Sequence, residues 1–119
     1  MRNQPKYNFF KNTSYALKGL KDLVQNETSF KIELIIAIVL IPVIIFIDLD
    51  LIRKLFLFTS LMGMLIAEAI NSSIERAVDL VTLDYNKMAG RAKDVGSTIV
   101  FLSIIVFITT WAMILKELL

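Results

Sequence analysis

The chain has 119 residues, enough for one domain, and 56% of them are hydrophobic, which is a membrane-class composition. It holds no cysteine and no histidine, so disulfides, thiolate chemistry, CxxC zinc sites and imidazole bases are excluded. The net charge of +2 is too small to argue for nucleic acid, and any metal would be a hard cation held by oxygens: magnesium, manganese or calcium.

Residues 1–31 have no long apolar core and are not expected to be a cleaved signal. Within them, residues 6–25 read as an amphipathic helix. Phe9, Phe10, Leu17, Leu20, Leu23 and Val24 recur at helical spacing, while Lys11, Lys18, Lys21 and Asp22 lie elsewhere. A basic helix with aromatic residues on its apolar side suits the membrane interface. Packing on a soluble core is the alternative, and this chain has little soluble core to offer. Asn26-Glu27-Thr28-Ser29 interrupts the pattern, and Thr28 or Ser29 is suited to cap the next helix.

A first span is expected over 30–48, with Lys31 snorkelling outward and Pro42 inside it. Asp48-Leu49-Asp50 reads as a polar turn, with Asp50 capping the second span. That span is expected over 51–82, where Ser60, Gly63 and Ala67 allow close helix approach. A third is expected over 91–117, with Trp111 near its far end. The predicted fold is all-α: an interfacial helix and three transmembrane helices in one domain, residues 1–119. Residues 1–31 and 76–94 carry ten of the lysines and arginines, against Arg53, Lys54 and Lys116 on the other side. That asymmetry predicts a cytoplasmic N-terminus and 83–90 loop, with the C-terminus outside.

The stretch 68–97 concentrates the chemistry. At about 100° per residue, Glu68, Asn71, Glu75 and Asp79 fall within roughly 80° of one another. Polar stripes can glue membrane helices together, which accounts for Asn71 and Ser72. Three carboxylates repel unless a cation or proton joins them, so they point to function. Counting about 20 residues of span from Leu55 puts Glu75 and Asp79 at headgroup depth and Glu68 about 10 Å deeper. Glu27 precedes the first span and shares the depth of Glu75. Arg91, Lys93 and Asp94 lie nearby, a combination suited to phosphate and magnesium, although nothing matches GxxxxGK[ST].

Glu68-Ala-Ile-Asn71-Ser-Ser-Ile-Glu75-Arg-Ala-Val-Asp79, followed by Ala89-Gly-Arg-Ala-Lys-Asp94-Val-Gly-Ser97, resembles the prokaryotic integral-membrane diacylglycerol kinases. Tyr15-Ala-Leu-Lys-Gly-Leu20 and Asn26-Glu27 are also similar. Asn8 and Leu17 depart from the family, which commonly has a basic residue and a tryptophan there. The resemblance implies a homotrimeric helical bundle with active sites shared between subunits, in the bacterial inner membrane. It implies transfer of the ATP γ-phosphoryl group to the primary hydroxyl of diacylglycerol, giving phosphatidic acid. Glu68 would be the catalytic base, and Glu27 and Glu75 would hold Mg²⁺ and the nucleotide phosphates. Tyr15, Asp84, Tyr85, Asn86, Lys93 and Asp94 would line the nucleotide site. Asn71, Asp79 and Ser97 would support the site and lipid acceptor, with Ser29, Phe30, Lys31, Ile32 and Glu33 near the lipid.

The family also contains undecaprenol kinases, although Ala-Gly-Arg-Ala-Lys-Asp-Val-Gly-Ser is more similar to the diacylglycerol branch. A proton-coupled transporter built on Glu68 is an alternative of a different class; it would place binding near the midplane and need no nucleotide site. A non-catalytic assembly subunit is a third, and it would tolerate neutral replacements of Glu68 and Glu75.

Overall fold

A computed structural model of the chain describes residues 6–119. Four helices occur in order: α1 (Phe9–Asn26), α2 (Thr28–Phe46), α3 (Leu51–Val81) and α4 (Lys87–Lys116). Among the described residues, α2, α3 and α4 are long and apolar enough to cross a membrane. The expected all-helical architecture with three spans is therefore present, and its boundaries move by a few residues.

Each boundary shift has a local cause. The sequence predicts α1 over 6–25, but it starts at Phe9 because Asn8 is its cap: the Asn8 side chain accepts the Lys11 backbone N–H at 3.1 Å. The break after α1 is a single residue, Glu27, rather than four. Neither Thr28 nor Ser29 caps α2; Glu27 takes the cap position without a side-chain bond to the helix. The expected loop at 83–90 shrinks likewise. Asn86 accepts the Ala89 N–H at 3.0 Å and starts α4 at Lys87, so residues 87–90 of the expected loop are helical. Asp50 does sit at the α3 cap position, but its carboxylate accepts Arg53 Nη1 at 2.9 Å instead of a backbone N–H.

The middle helix organises the packing. α3 touches α2 on one side and α4 along much of the other, while α1 rests on α2. Leu57 and Leu61 on α3 are fully buried, and they join Phe30, Ala37 and Ile44 of α2 and Trp111 of α4. The sequence places Trp111 at the membrane boundary; in the fold it packs inward. Its indole lies tilted against Phe107, ring centres 5.3 Å apart, and its N–H donates to the Leu57 carbonyl at 3.2 Å. The same carbonyl accepts the Ser60 hydroxyl at 3.0 Å. A buried indole needs such a partner.

Close approach of α3 and α4 is set by a different glycine from the one expected. A Cβ on Gly63 would meet nothing within 4 Å, whereas one on Gly96 would lie 2.5 Å from Asn71 Oδ1. Gly96 thus admits the Asn71 side chain between the two helices. At about 1.5 Å per residue, Arg53 and Arg76 stand about 34 Å apart along α3, close to the thickness of a hydrocarbon core. Both carry ion pairs, Arg53 with Asp50 and Glu117, Arg76 with Asp22 and Glu27. Charged collars therefore bracket the apolar part of the molecule.

Candidate functional site

The carboxylates gather at the Arg76 end. Glu68 lies on α3 about 12 Å below that collar by helical rise, and it is only 7% exposed. A carboxylate is rarely that buried in apolar surroundings without a role. The charges of Glu75 and Glu27 both act on it, and its own charge acts on Glu33 of α2. Glu33 also has one carboxylate oxygen buried without a hydrogen-bond partner. Four acidic side chains from α2, α3 and the α1–α2 junction thus share one neighbourhood. The sequence places Glu33 only beside the lipid; its closeness to Glu68 is a fact of α2–α3 packing.

Above Glu68 the polar stripe spreads toward α4. Lys93 Nζ donates to Asp79 Oδ1 at 2.7 Å, and the Glu75 charge acts on Lys93 as well. Lys93 also lines a cleft of about 240 Å³ with Asp84, Tyr85 and Asn86. Four of the expected nucleotide residues therefore share one surface. Tyr85 is exposed there, and Asp94, which does not line the cleft, is exposed on α4. Tyr15 is on α1, half-buried, with Lys18 Nζ 5.8 Å from its ring centre.

The residues expected near the lipid divide. Phe30 is core, whereas Ser29, Lys31 and Ile32 face outward. Asn71 is between α3 and α4 with its carbonyl oxygen buried and unpartnered, and Ser97 is exposed on α4. An open cavity of about 510 Å³ runs between α1, α2 and α3, with Leu20, Leu34 and Leu65 on its walls and Arg76 on its polar edge. Its lining is mostly apolar, as an acyl chain requires.

Asp22 and Arg76 form the part of the site that sequence reasoning missed. Arg76 Nη1 donates to Asp22 Oδ2 at 3.0 Å, while Nε and Nη2 donate to Glu27 Oε1 at 3.2 and 2.9 Å. In the sequence Arg76 adds only to the charge asymmetry, and Asp22 is one more polar residue off the apolar face. Nothing in their spacing announces a pair separated by 54 positions. The Asn26 amide bonds Asp22 at 2.6 Å; with Arg76 it holds that carboxyl below its ordinary range.

Among the described residues, no three acidic side chains are grouped to cage a metal. Magnesium at a phosphoryl-transfer site needs no such cage, because one or two carboxylates and the substrate phosphates complete its shell. Glu27 and Glu75 are hard oxygen donors whose charges both act on Glu68, the donor chemistry that magnesium takes.

Comparison with known proteins adds to the geometry. The model of a family described as prokaryotic diacylglycerol kinase matches residues 14–115. The chain belongs to that family. It is 36% identical over 105 residues to diacylglycerol kinase of Escherichia coli K12, covering 88% of this chain and 86% of the relative. The Haemophilus influenzae diacylglycerol kinase is 35% identical over 103 residues, 87% of each chain. An undecaprenol kinase of Bacillus subtilis is 29% identical over 89 residues, covering 75% of this chain and 72% of the relative. The chain is thus a membrane enzyme of the prokaryotic diacylglycerol kinase family.

Proposed function

We propose that the chain is an ATP-dependent lipid kinase that transfers the γ-phosphoryl group of Mg·ATP to the primary hydroxyl of 1,2-diacylglycerol, giving phosphatidic acid. The observation that carries this reading is Glu68, a buried carboxylate in a spanning helix with Glu27 and Glu75 within electrostatic reach. A diacylglycerol hydroxyl lies just below the headgroups, and ATP stays in water. A base set below the collar, under phosphate-handling groups at the collar, meets both.

Glu68 accepts the hydroxyl proton as the lipid oxygen bonds to the γ-phosphorus, and the bond to the β,γ-bridging oxygen breaks to release ADP. Glu27 and Glu75 would hold the magnesium, which when bound would neutralise charge on the phosphates. Tyr15, Asp84, Tyr85, Asn86, Lys93 and Asp94 line the nucleotide. Asn71, Asp79, Ser97, Ser29, Lys31, Ile32 and Glu33 position the lipid, with Phe30 packed in the core behind them. The chain self-associates as a homotrimer whose neighbouring subunits complete each site; the exposure of Tyr85, Asp94 and Ser97 in a single chain supports this. Charge asymmetry supports a cytoplasmic N-terminus and 82–86 loop, an outer C-terminus, and α1 in the cytoplasmic interface of the bacterial inner membrane.

A bilayer-supported assay following labelled phosphate from Mg·ATP into lipid tests the reading, with diacylglycerol and undecaprenol offered side by side. Diacylglycerol is the expected acceptor. Preference for undecaprenol would keep the mechanism and change the substrate, the reading favoured by the Bacillus relative's name. Transfer to neither by a folded oligomer would overturn the kinase proposal and revive the transporter.

A further inference from the structure

Arg76 engages Glu27 in a lopsided way. Nε and Nη2 both donate to Oε1, and no hydrogen bond among the described residues engages Oε2. A bidentate arginine would normally take one carboxylate oxygen with each nitrogen. Here the third nitrogen, Nη1, is turned to Asp22 of α1 instead, and Asp22 is itself fixed by two bonds from the Asn26 amide, to its carboxylate and to its backbone carbonyl.

This arrangement has two effects. The guanidinium is anchored on both sides, so it holds the Glu27 carboxylate in one orientation. Asp22 also offsets the positive charge of Arg76, and the trio keeps one net negative charge at Glu27. An arginine alone beside a metal ligand would repel the metal; an arginine neutralised by a second carboxylate orients the ligand without that penalty. Hydrogen-bonded partners behind a ligating carboxylate commonly set metal affinity in this way.

We propose that Asp22 and Arg76 are positioning residues that fix Glu27 through Oε1 and leave Oε2 for the divalent metal of the bound nucleotide, coupling helix α1 to the metal site. This rests on the reading of Glu27 as a metal ligand. It adds a tie from α1 to the guanidinium that orients Glu27, so the helix and the metal ligand share one anchor.

The test uses the full chain in lipid nanodiscs, with Mn²⁺ and β,γ-imido-ATP as probe and electron paramagnetic resonance as readout. Arg76→Gln is expected to bind the Mn²⁺–nucleotide about 10–100-fold more weakly, with Arg76→Lys recovering part of the loss. Asp22→Asn, which leaves the guanidinium uncompensated, is expected to weaken binding as well. Oligomeric state, measured alongside, identifies any variant that fails to assemble; Asp22→Asn and Arg76→Lys, which change least in shape, then carry the test. If Glu27→Gln weakens binding but neither Arg76→Gln nor Asp22→Asn does, the pair is only a tether and the proposal is overturned alone. Tighter binding by Arg76→Gln would also overturn it, by showing that the arginine competes with the metal. If Glu27→Gln binds like the parent chain, Glu27 holds no metal and both readings fall together.

Discussion

At the residue scale the proposed function sets a deep base, Glu68, below shallow metal and phosphate groups, and the base invites the first substitution. Glu68→Gln keeps the shape and removes the proton acceptor. It should bind Mg·ATP normally and turn over about 10²–10⁴-fold more slowly, as loss of a general base does. Single-turnover phosphate transfer checks this, and normal turnover would remove Glu68 as base. Gly96→Ala probes the α3–α4 contact. The added Cβ would lie 2.5 Å from Asn71 Oδ1, so one of the two must move. The expected loss is about 1–3 kcal/mol, the usual range for overpacking. Denaturation in mixed micelles reads it, and Asn71→Ala in the same chain should relieve most of the loss, because the two sites share one space. The sequence showed the carboxylate stripe plainly, since Glu68, Asn71, Glu75 and Asp79 share a helical face. It could not show that Gly96, rather than Gly63, admits a neighbour. That depends on the rotation of α4 about its axis, which no periodicity within α3 encodes.

At the element scale the spans were legible because lipid-grade apolar runs leave few alternatives to a helix. Their ends were less so. Thr28 and Ser29 are good caps by type, yet Glu27 takes the position while its carboxylate answers a residue 49 positions away. The tie between α1 and α3 is likewise tertiary, and it has a pH signature. Asp22 has its carboxyl held below the ordinary value by Asn26 and Arg76. Its contribution is then fully present above the unfolded aspartate pKa and is lost as pH falls through the lower folded value. Amide exchange of α1, normalised to intrinsic rates, should keep its protection from pH 7 down to about 4, the ordinary aspartate pKa, and lose it only in stronger acid. In Asp22→Asn the protection should be lower already at pH 7. A parent chain that lost α1 protection between pH 7 and 5 would show that a different group holds the helix.

At the scale of the whole molecule, the exposed apolar surface sets the question of how many chains make one enzyme. The most apolar stretch of α2 is 17% buried within a single chain and that of α4 only 6%, against 50% for α3. Lipid or further copies of the chain must cover the rest. The proposed shared sites would have further copies close over the exposed Tyr85, Asp94 and Ser97. Glu68 and Glu75, in contrast, stand two turns apart on one helix, and the charge of Glu75 acts on Glu68 within the chain. On the proposed roles, base and metal ligand would therefore come from the same subunit. Inactive Glu68→Gln and Glu75→Gln chains, unfolded together and reassembled as mixed oligomers, should regain no activity, since every α3 then lacks one of the two groups. Glu68→Gln mixed with Asp94→Asn should recover a fraction of parental turnover if the neighbouring chain supplies Asp94, because some interfaces would pair an intact α3 with an intact α4. Recovery in the first mixture would mean that Glu75 serves the Glu68 of an adjacent subunit. The carboxylate cluster within one chain would then be a product of packing, and the metal site would lie across the interface.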